Sequence, residues 1–126
     1  GNRNTPAEVI ISNLKAFFKN FDLKDNFDDL KAIFIAGDLW DDALQFSSEV
    51  LPGFFRFWHL FTMWCHRKKI ILRVLEGTPK HDRLQGTTIA AFTEVNCPEL
   101  DFKYVKDLSI EYIPGLGMNV LYVPDE

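Results

Sequence analysis

Apolar and polar positions follow two different periods along this chain. Thr5-Pro6-Ala7-Glu8 combines an N-cap hydroxyl, a proline at the first helical position and a glutamate three residues beyond the cap, which together mark a helix start. Val9, Ile10, Leu14, Phe17, Phe18 and Phe21 then recur at helical spacing, and a polar cluster over 22–29 supplies the exit loop. Residues 31–36 form a short apolar run closed by Gly37, with too few residues and too little alternation for an exposed helix or an edge strand, so they predict a buried parallel strand. From 41 to 67 the helical period returns. Pro52-Gly53 falls inside that stretch and predicts a kink or a division into two helices.

Residues 69–75 read as a second buried strand, closed by Glu76-Gly77, and the polar segment 78–86 leads into a short helix expected around 87–95. The order so far is αβαβα, which argues for a layered α/β domain with a parallel sheet. Beyond Pro98, three short strands are expected at 102–105, 109–113 and 118–123, with Pro114-Gly115-Leu116-Gly117 as the turn between the last two. No internal repeat and no low-complexity segment interrupts the pattern.

Composition narrows the functional classes. At 126 residues the chain has room for one domain, and 47% hydrophobic residues, with twelve Phe and three Trp, supply a core. Fourteen Lys and Arg against eighteen Asp and Glu leave a net charge of -4, so nucleic-acid binding would depend on a local patch or on metal ions. The longest apolar stretch, 54–65, is broken by Arg56 and His59, and no apolar segment of signal-peptide type follows Gly1-Asn2-Arg3-Asn4, so neither a membrane span nor a leader is expected. Cys65 and Cys97 make no disulfide framework and lack C-x-x-C spacing. A reducing, cytoplasmic compartment is the expectation, with both thiols inert. A glycine in place of an initiating methionine and a stop just after an apolar run suggest a portion of a longer protein.

Two loops attract chemical interest, because functional groups in open α/β sheets gather outside the carboxyl ends of the strands. Gly37-Asp38-Leu39-Trp40-Asp41-Asp42 follows the first strand, and Gly77-Thr78-Pro79-Lys80-His81-Asp82 follows the second. Each opens with a glycine and then presents carboxylates or an imidazole, the ligand types of manganese(II), iron or zinc. Taken singly, Asp41 or Asp42 serves equally well as a helix N-cap, and His81 as an ordinary loop histidine. The aromatic stripe Phe54, Phe57, Trp58, Phe61, Trp64 and Cys65, widened by Phe55, Leu60 and Met63, predicts a helix packed on two sides, with an oligomer interface as the alternative. His59 and His66 lie seven apart on it and read as ordinary histidines, and Arg67-Lys68-Lys69 complements the helix dipole.

On these residues the chain resembles the calcineurin-like metallophosphoesterases. Gly37-Asp38-Leu39-Trp40-Asp41 matches their G-D-x-x-D motif, and the glycine before His81-Asp82 is similar to their G-N-H-D/E motif. The stretch 1–6 looks like the segment after their first D-x-H motif, particularly in the nuclease subunit of the bacterial SbcCD complex and its phage relatives. The resemblance implies a four-layer α/β sandwich of which residues 1–126 are a single partial domain, with D-x-H upstream and G-H-x-H downstream. It implies two divalent ions, manganese foremost, bridged by Asp38. His81 would be both a ligand and the group that protonates the leaving oxygen, with Asp41 orienting its ring. Thr78-Pro79-Lys80 stands where the family has a single Asn, so this loop lacks the second-metal ligand. The implied partners are DNA or another phosphodiester, an SbcC-like ATPase subunit and a second copy in a homodimer, in a bacterial or phage-infected cell. The rival expectation is a non-catalytic α/β interaction module.

Overall fold

The computed structural model describes residues 12–13, 15–16, 19, 29–36, 51–77 and 79–124, with the backbone alone at 51 and 79–85. It is a mixed α/β structure. Residues 12, 13, 15, 16 and 19 are helical, as the start at Thr5-Pro6 predicts, and lie on an exposed face. Strand β1 (Ala32–Ala36), helix α1 (Leu51–Arg67), strand β2 (Ile71–Leu75), helix α2 (Pro79–Asn96) and strand β3 (Phe102–Val105) follow in order. The three strands form a parallel sheet in the order β1-β2-β3. Strands β4 (Ser109–Ile113) and β5 (Met118–Tyr122) make a separate antiparallel pair.

Both helices cover one face of the sheet. Phe54, Phe57, Trp58, Phe61, Trp64 and Cys65 of α1 are buried with Leu72 and Val74 of β2 and Ile89 of α2 in one core. Six large residues on one helix remove enough apolar surface to dominate this layer, at ~1.5–3 kcal/mol for each side chain fully buried. The indole Nε1 of Trp58 donates to Thr93 Oγ1 at 2.8 Å, and that hydroxyl donates onward to the Ile89 carbonyl at 2.7 Å. The polar ends of the most buried ring are thus satisfied inside α2 rather than by water. Phe55 reaches the same helix through Phe92, ring centroids 4.6 Å apart.

Several elements differ from the sequence expectation. The stretch 41–50 lies outside the described residues, and the described part of α1 opens with Pro52-Gly53 in its first turn, where the missing proline N–H costs nothing. Strand β1 is only half-buried. It is the edge of the sheet among the described residues, and Phe34 keeps 42% of its surface exposed beside Tyr122 of the hairpin. Helix α2 begins at Pro79, eight residues before the expected start at 87. Thr78-Pro79 repeats the Thr-Pro pattern that predicts a helix start at Thr5-Pro6, and its signal was hidden by the polar run behind it. Strand β5 ends at Tyr122.

Helix α1 ends in a Schellman arrangement: Ile70 N donates to Cys65 O at 2.8 Å and Lys69 N to His66 O at 3.1 Å, with Lys69 left-handed at φ 59°. The basic run predicted as dipole complement therefore also contains the residue that turns the chain back into β2.

The opposite face of the sheet is held to the β4-β5 hairpin by charge. The pairing register aligns Phe34, Arg73 and Lys103 in one row across β1, β2 and β3. Arg73, with 2% of its side chain exposed, points from this row at Glu111 of β4. Its Nε donates to Glu111 Oε1 and its Nη2 to Glu111 Oε2, both at 2.9 Å. The remaining N–H groups go to Asp101 Oδ1 at 2.9 Å and to the Leu72 and Asp101 carbonyls at 3.0 Å, so all five guanidinium donors are used. Glu111 also accepts from Lys103 Nζ at 2.9 Å and from the Tyr122 hydroxyl at 2.6 Å. The Arg73 guanidinium, with Lys103 and Tyr122 behind it, outweighs burial and holds the Glu111 carboxyl at about 2. Burial and then the Glu111 charge push the Tyr122 phenol up to about 12. Beyond the network, the turn after Ile113 lies over Ile71, Gly117 supplying its left-handed residue at φ 66°.

Glu111→Leu strands the guanidinium with Asp101, a carboxylate 59% exposed, and should cost about 3 kcal/mol in urea unfolding, while Arg73→Met in the same chain should restore most of it. Simple additivity of the two single variants would contradict the coupling. The pH dependence has a definite sign, since the folded Glu111 carboxyl lies below its ordinary 4.5. Its stabilisation is complete above that value and is lost as pH falls toward 2, so the wild type should lose stability over this interval more steeply than Glu111→Gln.

Candidate active site at the carboxyl edge of the sheet

The carboxyl ends of the three parallel strands are brought level by their register. Ala36 pairs with Leu75 and Leu75 with Val105, and Glu76 N adds one further bond to Val105 O at 2.8 Å. The chain therefore leaves β1, β2 and β3 at a single edge, after Ala36, Leu75 and Val105. This follows from parallel pairing, where helical crossovers return the chain to the same end each time.

Asp38 and Asp41 lie outside the described residues, so their expected approach to His81 and the orienting contact of Asp41 lie outside them as well. His81 is placed by its backbone. It sits in the first turn of α2, not in a loop, four positions after the buried Gly77. That position has an electrostatic consequence, because the first turn of a helix presents unpaired backbone N–H groups and the positive end of the dipole, both favourable to an anion. The third strand adds Lys106 and Asp107 to the same edge, residues to which the pattern of apolar runs assigned no role.

Helix α2 is seated on the sheet by one close approach. A side chain at Gly86 would overlap the hydroxyl and ring of Tyr104 on β3, so the helix passes the strand at a distance that only glycine allows. Tyr104 faces the helices because it pairs with Val74, a core residue.

The two acidic groups beneath the hairpin are already engaged. Asp101 and Glu111 serve Arg73 and Lys103. His66 Nε2 lies 3.4 Å from Glu99 Oε2, and His59 Nδ1 is enclosed without a hydrogen bond among the described residues. Among the described residues no three His, Cys, Asp or Glu side chains are grouped to hold a metal ion. Burial, then the neighbouring Cys97, pushes the Cys65 thiol up to about 12, which makes it a poor nucleophile. A cavity of ≈ 470 Å³ lined by Ile71, Leu100 and Asp101 lies at the opposite, amino-terminal edge, away from the candidate loops. No helix among the described residues is long and apolar enough to cross a membrane.

Arg73 and its carboxylates were the residues that sequence reasoning missed. A single charge in the apolar run Ile70-Ile71-Leu72-Arg73-Val74-Leu75 signals a buried partner, since an unpaired guanidinium there would be prohibitive.

Gly86→Ala would ordinarily favour a helix by about 1 kcal/mol. Here it should destabilise by about 1–3 kcal/mol through overpacking, and thermal unfolding in a Tyr104→Ala background should show the penalty removed. A stabilised single variant would rule out the close approach. Comparison with protein-family models, curated proteins and solved structures returned no match.

Proposed function

We propose that the chain carries one side of a metal-dependent phosphoesterase centre within a four-layer α/β sandwich, acting on phosphodiesters, DNA among them, in the cytoplasm of a bacterial or phage-infected cell. What supports this reading is the pairing of Ala36 with Leu75, because it sets level the two strand ends after which the sequence carries Gly37-Asp38-Leu39-Trp40-Asp41 and His81-Asp82. The donor chemistry fits, since carboxylate oxygen and imidazole nitrogen suit manganese(II). Asp38 and His81 would hold the ions, with the other ligands supplied from outside the chain. Bound there, two ions supply a nucleophilic water at neutral pH and a clamp for the phosphoryl oxygens.

The chain's own residues do the rest. Asp38 contributes negative charge that concentrates cations at an edge otherwise biased toward anions by the start of α2. On this reading His81 gives a proton to the departing oxygen, and Asp41 holds the tautomer that carries it. The expected partners follow: a DNA end, an SbcC-like ATPase subunit and a second copy of the chain.

The experiment is hydrolysis of a chromogenic phosphodiester and of DNA ends by the full-length protein, with manganese and with chelator. Activity should require the metal. Asp38→Asn should abolish metal binding and turnover together, whereas His81→Ala should retain at least one ion and lose about 10²- to 10⁴-fold in rate. The 126-residue chain alone should be inactive. Chelator-resistant activity would overturn the assignment.

One observation favours the rival reading of an interaction module. The outward face of the hairpin exposes Ile110 by 70% and its cross-strand partner Leu121 by 60%, beside Tyr112. Contiguous apolar surface of this kind marks an interface. Under this reading Ile110→Lys/Leu121→Lys removes association in sedimentation, and a full-length protein with every ligand motif stays inactive with manganese.

A further inference from the structure

We infer that the outward face of the β4-β5 hairpin packs against the same face of a second copy of the chain, the two hairpins closing into a four-stranded sandwich about a two-fold axis. The hairpin is built with its charge inside. Glu111 turns toward Arg73 and Lys103 beneath it, while Ile110, Tyr112 and Leu121, on the other side of the pleat, are each more than half exposed. Ile110 faces Leu121 across the ladder, and Tyr112 faces Asn119. Leu108 and Val123 come next beyond the Ser109–Tyr122 pair, at the open end of the hairpin, and are exposed to the same degree. A hairpin with one face in water carries the opposite pattern, polar outward and apolar inward.

Charge and area identify the occupant. None of Leu108, Ile110, Tyr112, Asn119, Leu121 and Val123 carries a charge at neutral pH, so the face offers no ion pair to a charged partner and meets no repulsion from itself, although each chain has a net charge of -4. Of the ten large apolar side chains exposed among the described residues, six lie between Leu108 and Val123, so the surface of this chain that best matches the face is the face itself. The five apolar residues together leave on the order of 600 Å² in water, the upper end for the largest apolar patch of a monomer. Two such faces bury on the order of 1,200 Å², above the ~1,000 Å² of a specific interface and small for a permanent one, which corresponds to a reversible dimer. An isologous contact sets Ile110 and Leu121, the middle pair of the face, against the same pair of the second copy. The aromatic stripe of α1, where the sequence offered an oligomer interface, is not available, since Phe54, Phe57, Trp58, Phe61 and Trp64 are buried within the chain. This inference rests on the reading of the hairpin face as an interface, and it holds with or without phosphoesterase activity.

The test is sedimentation equilibrium of the full-length protein, in which the wild type should pass from monomer to dimer across about 1–200 μM. Ile110→Lys should weaken the dimer about 100-fold or more by setting like charges against each other near the two-fold axis, and Ile110→Glu should do the same. An equimolar mixture of the two variants should restore association to within about tenfold of the wild type, a rescue that requires the face to meet itself. Val95→Lys, at an exposed position of α2, should leave the dimer unchanged. A wild type that is monomeric throughout would overturn the second copy. In that case, loss of an unlike partner in Ile110→Lys/Leu121→Lys would keep the hairpin as an interface, whereas unfolding of the monomer by the same variant in circular dichroism would make the face an interior layer and remove both readings. A dimer that Ile110→Lys leaves intact, or two charged variants that fail to rescue each other, would also overturn the assignment.

Discussion

A guanidinium enclosed in the middle strand of a parallel sheet has to be met from the layer above, and in this chain that requirement ties the architecture together. Arg73 alternates with Leu72 and Val74, so when those two enter the aromatic core it must emerge on the other face. Glu111 receives it there with both carboxylate oxygens. A two-stranded hairpin is marginal by itself, and its inward side offers little beyond Ile113 and Tyr122 for a core. The ion pair therefore fixes where β4 and β5 sit. Hydrophobic burial drives the helical face, and charge geometry gives the hairpin its register on the sheet. Because replacing one member leaves an uncompensated charge, the network specifies position more strongly than it adds net stability.

On the helical face the constraint is space. Trp58 is deep enough that its N–H must find Thr93, which sets the rotation of α2, and Gly86 against Tyr104 sets its distance from β3. The two contacts act at different heights of the same helix, so they define its axis. That axis determines where the first turn, with His81, meets the sheet edge. A site at the end of a helix is thus positioned by residues far along it. Lys69 plays the matching part for β2, since its left-handed conformation reverses the chain into the central strand.

How much of this was legible depended on whether the signal was local. Strand and helix periods along 31–36, 54–67 and 69–75 could be read because burial repeats within a few residues. The start of α2 was present as Thr78-Pro79 but was masked by the polar run after it, which made a helix look like a loop. That Arg73 needed a partner was readable, but Glu111 as that partner was not, because 38 residues separate them and nothing near either one names the other. Half-burial of β1 was hidden for a similar reason: an apolar run predicts that a strand is covered but not how completely the other layer covers it. Of the candidate site, parallel pairing shows that the strand ends lie level, as the αβαβα order anticipates, while Asp38 and Asp41 rest on motif alone.

The separation of the charge network from the carboxyl edge bears on how the candidate site can work. Asp101 and Glu111 are both bound to Arg73, and Glu111 also to Lys103 and Tyr122. Releasing either to a metal would uncover a buried guanidinium, so they are excluded as ligands by the cost of the exchange. At the carboxyl edge the described residues Glu76 and Asp107 are the carboxylates outside that network. The carboxylates that hold the layers together are thereby kept apart from those at the strand ends. A substitution at the strand ends can then be made without loosening the layers, whereas a substitution at Arg73 or Glu111 reaches that edge only through the fold.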